Sequence, residues 1–181
     1  PIRKDVNVVF DLIAHDISIL LYWIGFPEWV IASERCLLNN ERSDIAFVQI
    51  GYKNGIIANL QASWLDPMKQ RVVEVIGENG MLIFDDTNPL EKLKIIKVSS
   101  DYQSLSSDFG SFQLSLKSGD ILIPNIFYPE PLKVKLDSFL KSLKNRDIND
   151  VIQSNKIIKD NTFVLDAIQN SILQNSAKVF I

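Results

Sequence analysis

The chain is poor in the residues that most often mark metal or nucleotide chemistry. Its 181 residues include one cysteine, one histidine and seven glycines. The single Cys36 excludes an internal disulfide and a cysteine zinc site, and with one histidine we predict no metal site. The glycines form neither the G-x-G-x-x-G nor the G-x-x-x-x-G-K-S/T spacing. The sequence therefore has no local motif that cradles the phosphates of a nucleotide.

The chain also lacks a strongly basic composition and a long uninterrupted apolar run. Its net charge of −3 argues against nucleic acid or an acidic membrane as a partner, because both require a concentrated basic face. The most apolar stretch, residues 8–25, is interrupted by Asp11, His15 and Asp16, so we expect no membrane span. No signal peptide is evident, and we expect a cytoplasmic protein. Cys36 lies in a strand-like run, and we expect it to be a small core residue.

The first half of the chain alternates in a way that predicts one helix followed by strands. A short strand is predicted over residues 6–10, and a helix from Asp11 to about Ile24 that stops at Gly25. Further along, "DIAFVQIGYKNGIIANLQASWL" predicts a hairpin with Asn54-Gly55 at its turn, a pair that type I′ turns prefer. "RVVEVIG", "MLIFDD" and "KLKIIKV" predict further strands, and residues 99–119 predict a loop.

Helical periodicity returns near the end of the chain. One helix is predicted from Pro131, a longer one over about residues 154–174, and "AKVFI" predicts a closing strand. The order of elements predicts one α+β domain over residues 1–181. We expect a large, open, mainly antiparallel sheet with helices packed on one face.

Two ionisable residues of the first predicted helix form a candidate site. Asp11 and His15 are four residues apart, which places them on one helix face, while Asp16 is rotated by about 100° from His15. A carboxylate in this position can orient or charge-stabilise an imidazole. The alternative is structural: Asp11 caps the helix, and His15 is a histidine whose hydrogen bonds are satisfied by the core.

Several longer stretches resemble a known protein family. They are "DVNVVFDLIAHDISILLYWIG", "ASWLDPMKQRVVEVIGENGMLIFDD", "EKLKII", "GDILIP" and "EPLKVKLDSFL", in that order. This ordered set resembles the C-terminal domain of the Gfo/Idh/MocA oxidoreductases. "SWLDP-K-R" and "FDD...EK" are most similar to the nucleotide-sugar (UDP-N-acetylglucosamine-type) 3-dehydrogenase branch. The resemblance covers residues 5–140 and fades over residues 146–181, where the family often has P-x-x-D-G and this chain has "RDINDVIQSNK".

The resemblance implies a two-domain enzyme of which this chain is one part. It implies the C-terminal fold of glucose–fructose oxidoreductase and glyceraldehyde-3-phosphate dehydrogenase, acting in substrate binding and oligomerisation. The family's N-terminal Rossmann domain, with its glycine fingerprint and a catalytic lysine in an E-K-P motif, is absent from this chain. NAD or NADP would be bound mainly by that domain, and the chain alone would be inactive.

The resemblance also assigns roles to the candidate site. The family's D-x-x-x-H pair falls on Asp11 and His15. His15 would act as acid/base at a sugar hydroxyl or contact it, and Asp11 would orient His15 or bind the substrate. "DLIAH" departs from many relatives, which have Gly or Pro between the pair, and Ile13 adds bulk there.

Four polar residues are further candidates for substrate binding. Arg3 and Asn7 lie just before the helix and are placed to meet a sugar or a carboxylate. Lys69 and Arg71 start a predicted strand after Trp64-Leu65-Asp66-Pro67 and are suited to phosphate or uronate. The alternative is that they are surface residues with no specific role.

The leading hypothesis is an NAD(P)-dependent oxidoreductase that oxidises a secondary hydroxyl of a sugar or nucleotide sugar. One alternative is an NAD-dependent glycoside hydrolase of the same superfamily, and another is a non-catalytic sugar-binding or oligomerisation module. The second hairpin arm has a mixed face of Asn59, Gln61 and Ser63 that helices on one side cannot cover. We therefore expect a homo-oligomer that packs through the sheet.

Overall fold

The computed structural model describes residues 5–38, 42–98, 118–145 and 148–181. Two compact units are formed, one by Pro1–Asp66 with Lys135–Ile181 and the other by Pro67–Val134. In chain order the elements are a π-helical turn Val9–Ile13, α1 Ala14–Trp23, β1 Trp29–Arg35, β2 Ile45–Gly51, β3 Ile57–Ser63, β4 Val72–Gly77, β5 Gly80–Asp85, β6 Leu93–Val98, β7 Ser118–Leu122, α2 Pro131–Asn145, α3 Ile148–Leu173 and β8 Val179–Phe180.

The strands form two four-stranded sheets. The first has the order β3-β2-β1-β8 and the second β4-β5-β6-β7, and every pairing among the described residues is antiparallel. The predicted α+β class and antiparallel pairing are confirmed, but the strands do not form one large sheet. The edge strand β3 ends just before Leu65-Asp66-Pro67, where proline cannot donate to a ladder and restricts the residue before it. β7 also begins inside the predicted loop, whose residues 99–117 lie outside the described ranges.

The core of the first unit lies between its sheet and its helices. Contacts join α3 to β1 and α1 to α3. The predicted alternation of the second hairpin arm is confirmed, since Ala58, Leu60 and Ala62 are more buried than Ile57, Asn59 and Gln61. The side chains with almost no exposure are those of Val8, Val9, Ile13, Ile17, Val30, Ile50, Val164 and Ile168.

The hairpin between β2 and β3 turns through a three-residue loop. Gly55 N–H donates to the Tyr52 carbonyl at 3.0 Å, and Tyr52 N–H donates to the Ile56 carbonyl at 3.0 Å. Gly55 has a φ of 83°, whereas Asn54 does not have a positive φ. A type I′ turn needs a positive φ at both central residues, so the hairpin is confirmed but its predicted turn type is wrong.

The predicted strand over residues 6–10 is wrong, because the helix already begins there. The Asn7 side-chain oxygen accepts from Phe10 N–H at 3.1 Å and caps the helix, and Val8 N–H donates to the Ser43 carbonyl at 3.1 Å. Val8 and Val9 are fully buried. Capping and burial therefore override the strand preference of these β-branched residues.

Cys36 does not lie in the core, so that prediction is wrong as well. The strand ends at Arg35, and Cys36 is exposed just beyond it. Partial desolvation, together with the negative charges of Glu34 and Asp44, raises the pKa of its thiol. Cys36 is thus an accessible thiol that resists ionisation.

The second unit has no fully buried side chain among its described residues. Its sheet depends on cross-strand pairs such as Val73 with Phe84 and Met81 with Ile96. In the first unit, the predicted apolar face of α2 is present but exposed, with Leu136, Phe139 and Leu143 each more than half accessible. None of the helices within the described ranges is both long and apolar enough to cross a membrane.

We expect Ile168→Ala to destabilise the first unit by about 2–5 kcal/mol, because it leaves a cavity in a tightly packed core. Ile168 is 0% exposed. Urea unfolding followed by circular dichroism measures the change. Ile158→Ala on the same helix is the control, since Ile158 is 64% exposed and should change the free energy of unfolding by less than about 0.5 kcal/mol. Equal effects of the two variants would contradict this packing.

Candidate active site

The two predicted catalytic residues lie on consecutive turns of the first helix. Asp11 is at the centre of the π-helical turn, in which Ala14 N–H donates to the carbonyl of Val9, and His15 is the second residue of α1. In an α-helix a four-residue spacing leaves two side chains about 40° apart around the axis. Asp11 is half-buried and His15 is exposed. Single π-helical turns within helices are often found at functional sites.

The Asp11 carboxylate is held by a residue from the sheet. The indole Nε1–H of Trp64, just beyond the end of β3, donates to Asp11 Oδ2 at 3.1 Å. Trp64 is itself held by its backbone N–H, which donates to the Asp44 carbonyl at 2.9 Å. One oxygen of Asp11 therefore has a fixed partner.

The backbone around the pair is supported from other parts of the first unit. Val8 is bonded to Ser43, as described above, and the Asn161 side chain of α3 donates to the Ala14 carbonyl at 2.9 Å. Ser18 Oγ donates to the His15 carbonyl at 2.6 Å. These contacts fix the helix axis on both sides of the π-helical turn, while the imidazole stays accessible.

Asn7 lies at the start of the same helix, where its side chain already has two contacts. Its oxygen caps the helix at Phe10, and its Nδ2 is 3.5 Å from Gln169 Oε1 of α3. Capping alone accounts for an asparagine at this position. A contact between Asn7 and a substrate stays a prediction, and Arg3 lies outside the described residues.

Lys69 and Arg71 belong to the second unit, so the structure does not group them with Asp11 and His15. Lys69 is exposed. Arg71 Nη1 lies 3.6 Å from Asp86 Oδ2, and the Arg71 carbonyl accepts from Asp86 N–H at 3.0 Å. Arg71 therefore has an ion-pair partner, and its guanidinium, 62% exposed, keeps free surface.

Asp86 is the centre of a charged cluster in the second unit. Lys92 Nζ donates to the Asp86 carbonyl at 2.8 Å and to Oδ1 at 3.3 Å, and it lies 4.3 Å from the centroid of the Tyr128 ring. Partial desolvation raises the pKa of Asp86. Hydrogen bonds from Lys92 and Tyr128, with the charges of Lys92 and Arg71, outweigh it, so the pKa lies below its usual value of 3.8.

Sequence reasoning missed the supporting residues of both clusters. Trp64 is seen in the sequence only as a strand residue, and nothing local pairs it with Asp11, 53 positions earlier. The available signal is general: the indole N–H of a partly buried tryptophan usually finds an acceptor. Ser43 and Asp44 hold Val8 and Trp64 through backbone carbonyls. Any residue type carries such a carbonyl, so the sequence does not reveal these contacts.

Two patterns typical of cofactor and metal sites are not found among the described residues. A pyrophosphate site of the Rossmann type needs parallel strands joined by a helix, with a glycine-rich turn at the helix start. The described strands pair only antiparallel. Within the ranges that the structure covers, no group of three His, Cys, Asp or Glu side chains is arranged to hold a metal.

The structure has an α+β fold whose first helix carries the anchored carboxylate of Asp11 and, four residues later, the exposed imidazole of His15. Residues 3–83 match the family model of the GFO/IDH/MocA C-terminal domain. The resemblance seen in the sequence is confirmed for this part of the chain. No match was found among curated protein sequences.

Solved structures show the same fold at low sequence identity. An NAD-binding protein from Listeria innocua matches 97% of this chain with a TM-score of 0.67 and 19% identity. Levoglucosan dehydrogenase, in complex with NADH and levoglucosan, matches 97% with a TM-score of 0.68 and 15% identity. The UDP-N-acetylglucosamine 3-dehydrogenase GnnA from Acidithiobacillus ferrooxidans matches 81% with a TM-score of 0.57 and 20% identity.

The chain corresponds to only part of these proteins. It covers 51% of the Listeria protein, 50% of levoglucosan dehydrogenase and 44% of GnnA. It therefore spans about half their length. The structural matches show that the chain shares their fold, and the family model matches its residues 3–83.

We expect Lys92→Met to raise the pKa of the Asp86 carboxyl toward its ordinary value, because it removes a hydrogen bond and a positive charge. A lowered carboxyl pKa stabilises the fold above pH 3.8, and this contribution is lost as the pH falls through the lower folded value. Carboxyl ¹³C NMR titration measures the shift. The control is Lys94→Met, since Lys94 pairs with Glu91 at 2.6 Å. An unchanged Asp86 titration in Lys92→Met would contradict the assignment.

Proposed function

We propose that this chain is the substrate-binding domain of an NAD(P)-dependent oxidoreductase that oxidises a secondary hydroxyl of a sugar or nucleotide sugar. The observation that carries the proposal is the exposed His15, one helical turn from the anchored carboxylate of Asp11. The family match over residues 3–83 supports it. We propose that a Rossmann domain binds the dinucleotide, as the family resemblance implies.

His15 is the acid/base of the proposed reaction. Oxidation of a secondary alcohol removes a proton from the hydroxyl and a hydride from the carbon. A neutral imidazole within hydrogen-bond reach of the hydroxyl accepts the proton. The nicotinamide, bound by the other domain, supplies the hydride acceptor.

Asp11 is the partner of the imidazole. A carboxylate beside a histidine stabilises the imidazolium that forms when the proton is taken up, and it favours one orientation of the ring. The hydrogen bond from Trp64 keeps Asp11 from turning freely. These roles fit the burial of the two residues, since Asp11 is half-buried and His15 is exposed.

The choice of substrate class is supported by two kinds of observation. Two of the matched structures are dehydrogenases with sugar-type substrates in their names, levoglucosan and UDP-N-acetylglucosamine. The sequence stretch from Trp64 to Arg71 resembles the nucleotide-sugar branch. We propose that Lys69 and Arg71 meet a phosphate or a uronate, because cationic side chains form strong hydrogen bonds with such anions. For Arg3 and Asn7 we propose contact with a sugar or a carboxylate.

We expect His15→Ala to lower kcat/KM by about 10²- to 10⁴-fold, the usual contribution of general acid–base catalysis. The measurement is NADH formation from a panel of UDP-sugars by the protein joined to its Rossmann domain. Asp16→Asn is the control, since Asp16 is the next residue but is rotated by about 100°. Circular dichroism verifies that both variants fold.

Full activity of His15→Ala would remove His15 from the mechanism. Release of a free sugar without net NADH formation would favour the glycoside hydrolase. Sugar binding with no turnover in the joined protein would favour a non-catalytic module. Each result therefore separates the proposed dehydrogenase from one of its alternatives.

We also propose that the outer face of the first sheet is covered by a second copy of this chain. This face has apolar side chains at Ile31, Phe47 and Ile57, with Phe47 48% and Ile57 57% exposed. Between them Gln49 Nε2 donates to Asn59 Oδ1 at 3.1 Å. On this face, strands β1, β2 and β3 form an open depression of about 430 Å³, lined in part by Ile31, Phe47 and Gln49. Its mixture of apolar and polar side chains supports an interface between two copies.

We expect Phe47→Glu to weaken self-association at least about tenfold, or about 1.4 kcal/mol, because it would bury an unpaired charge at the interface. Light scattering over a concentration series measures the dissociation constant. Met68→Glu is the control, because Met68 is 67% exposed but lies outside the first sheet. A wild-type protein that stays monomeric at micromolar concentration would contradict the interface.

A further inference from the structure

We infer that Trp64 is a positioning residue, whose indole N–H fixes the orientation in which the Asp11 carboxylate acts on His15. This inference rests on the proposed function and adds to it Trp64, the residue that follows β3. It starts from one contact, the 3.1 Å distance between Trp64 Nε1 and Asp11 Oδ2.

In this contact the indole is the donor and the carboxylate is the acceptor. An indole N–H can only donate, and an ionised carboxylate can only accept. Hydrogen bonds to a charged acceptor are shorter and stronger than those between neutral groups. With Oδ2 bonded to Trp64, rotation about the terminal torsion of Asp11 is restricted, so the position of Oδ1 is restricted as well.

Trp64 is a rigid support because its backbone is fixed by a buried residue. Its N–H donates to the carbonyl of Asp44, which is 2% exposed. The Asp44 carboxylate in turn accepts from the N–H groups of Leu37 and Leu38, at 3.0 and 2.8 Å. Leu65 N–H, the next after Trp64, donates to Ser63 Oγ at 2.9 Å.

The helix that carries Asp11 is held by Ser43, the residue next to Asp44. Val8 N–H, at the start of the catalytic helix, donates to the Ser43 carbonyl. Ser43 precedes Asp44 in the chain and is 1% exposed. Adjacent carbonyls therefore hold the helix that carries Asp11 and the backbone that carries Trp64. The separation of the indole and the carboxylate is set before any substrate binds.

The role predicts an effect on turnover more than on binding. Trp64→Phe removes this restraint on the Asp11 carboxylate, and a small misplacement of a catalytic group costs up to about 10²-fold in rate. We expect Trp64→Phe to lower kcat by about 10- to 100-fold in the protein joined to its Rossmann domain. KM should change by less than about twofold, because Trp64 is not assigned to the substrate.

A double-mutant comparison tests whether Trp64 acts through Asp11. If it does, Trp64→Phe combined with Asp11→Asn should be no slower than Asp11→Asn alone. Trp23→Phe is the matched control, because Trp23 ends the same helix and is 54% exposed. Multiplicative losses, or a Trp64→Phe enzyme as fast as Trp23→Phe, would overturn the inference.

A spectroscopic test needs no enzymatic activity. The chain has three tryptophans, so the ¹H–¹⁵N spectrum should show three indole N–H signals, and Trp64→Phe identifies the one that belongs to Trp64. Asp11→Asn should shift that signal and speed its exchange with water, while Trp23→Phe should leave it in place. A signal insensitive to Asp11→Asn overturns the hydrogen bond. Full activity of His15→Ala instead overturns the proposed function, so the two failures are distinguishable.

Discussion

The backbone carbonyls of Ser43 and Asp44 are the constraint on which the candidate site depends. One accepts from Val8 at the start of the helix and the other from Trp64 at the end of β3. Both residues are almost fully buried, so water does not compete for these carbonyls, and unpaired they would be costly. The Asp44 carboxylate also accepts a hydrogen bond from the N–H of Leu38, which follows β1. Two elements far apart in the chain are thereby held in one arrangement.

The sheet of the first unit separates two tasks. Its inner face packs against α3 and the π-helical turn, and α1 packs against α3, so that together they form the apolar core. Its outer face carries Phe47, Ile57 and the hydrogen-bonded pair of Gln49 and Asn59. Because side chains alternate along a strand, each strand serves the core and the outer surface at once. The core beneath the catalytic helix and the proposed assembly surface thus share strands without sharing residues.

The second unit is organised by charge more than by burial. The Asp86 carboxylate accepts hydrogen bonds from Lys92 and Tyr128 and forms an ion pair with Arg71. None of the unit's described side chains is fully buried. A small sheet without a thick core is stabilised largely by such cross-strand and polar contacts. Arg71 is anchored in this network yet keeps exposed surface, which is compatible with the anion-binding role proposed for it.

Local patterns in the sequence determined most of the helices and strands, the hairpin at Asn54-Gly55 and the placement of Asp11 and His15 on one helix, because each depends on residues close together in the chain. Only the tertiary structure decided that the helix begins near Val8, that the strands divide into two sheets and that Trp64 holds Asp11. The stretch from Val6 to Phe10 has the residues of a strand, and burial together with contacts to Ser43 made it helical. Such long-range contacts are decided by packing, which a local pattern of residues does not encode.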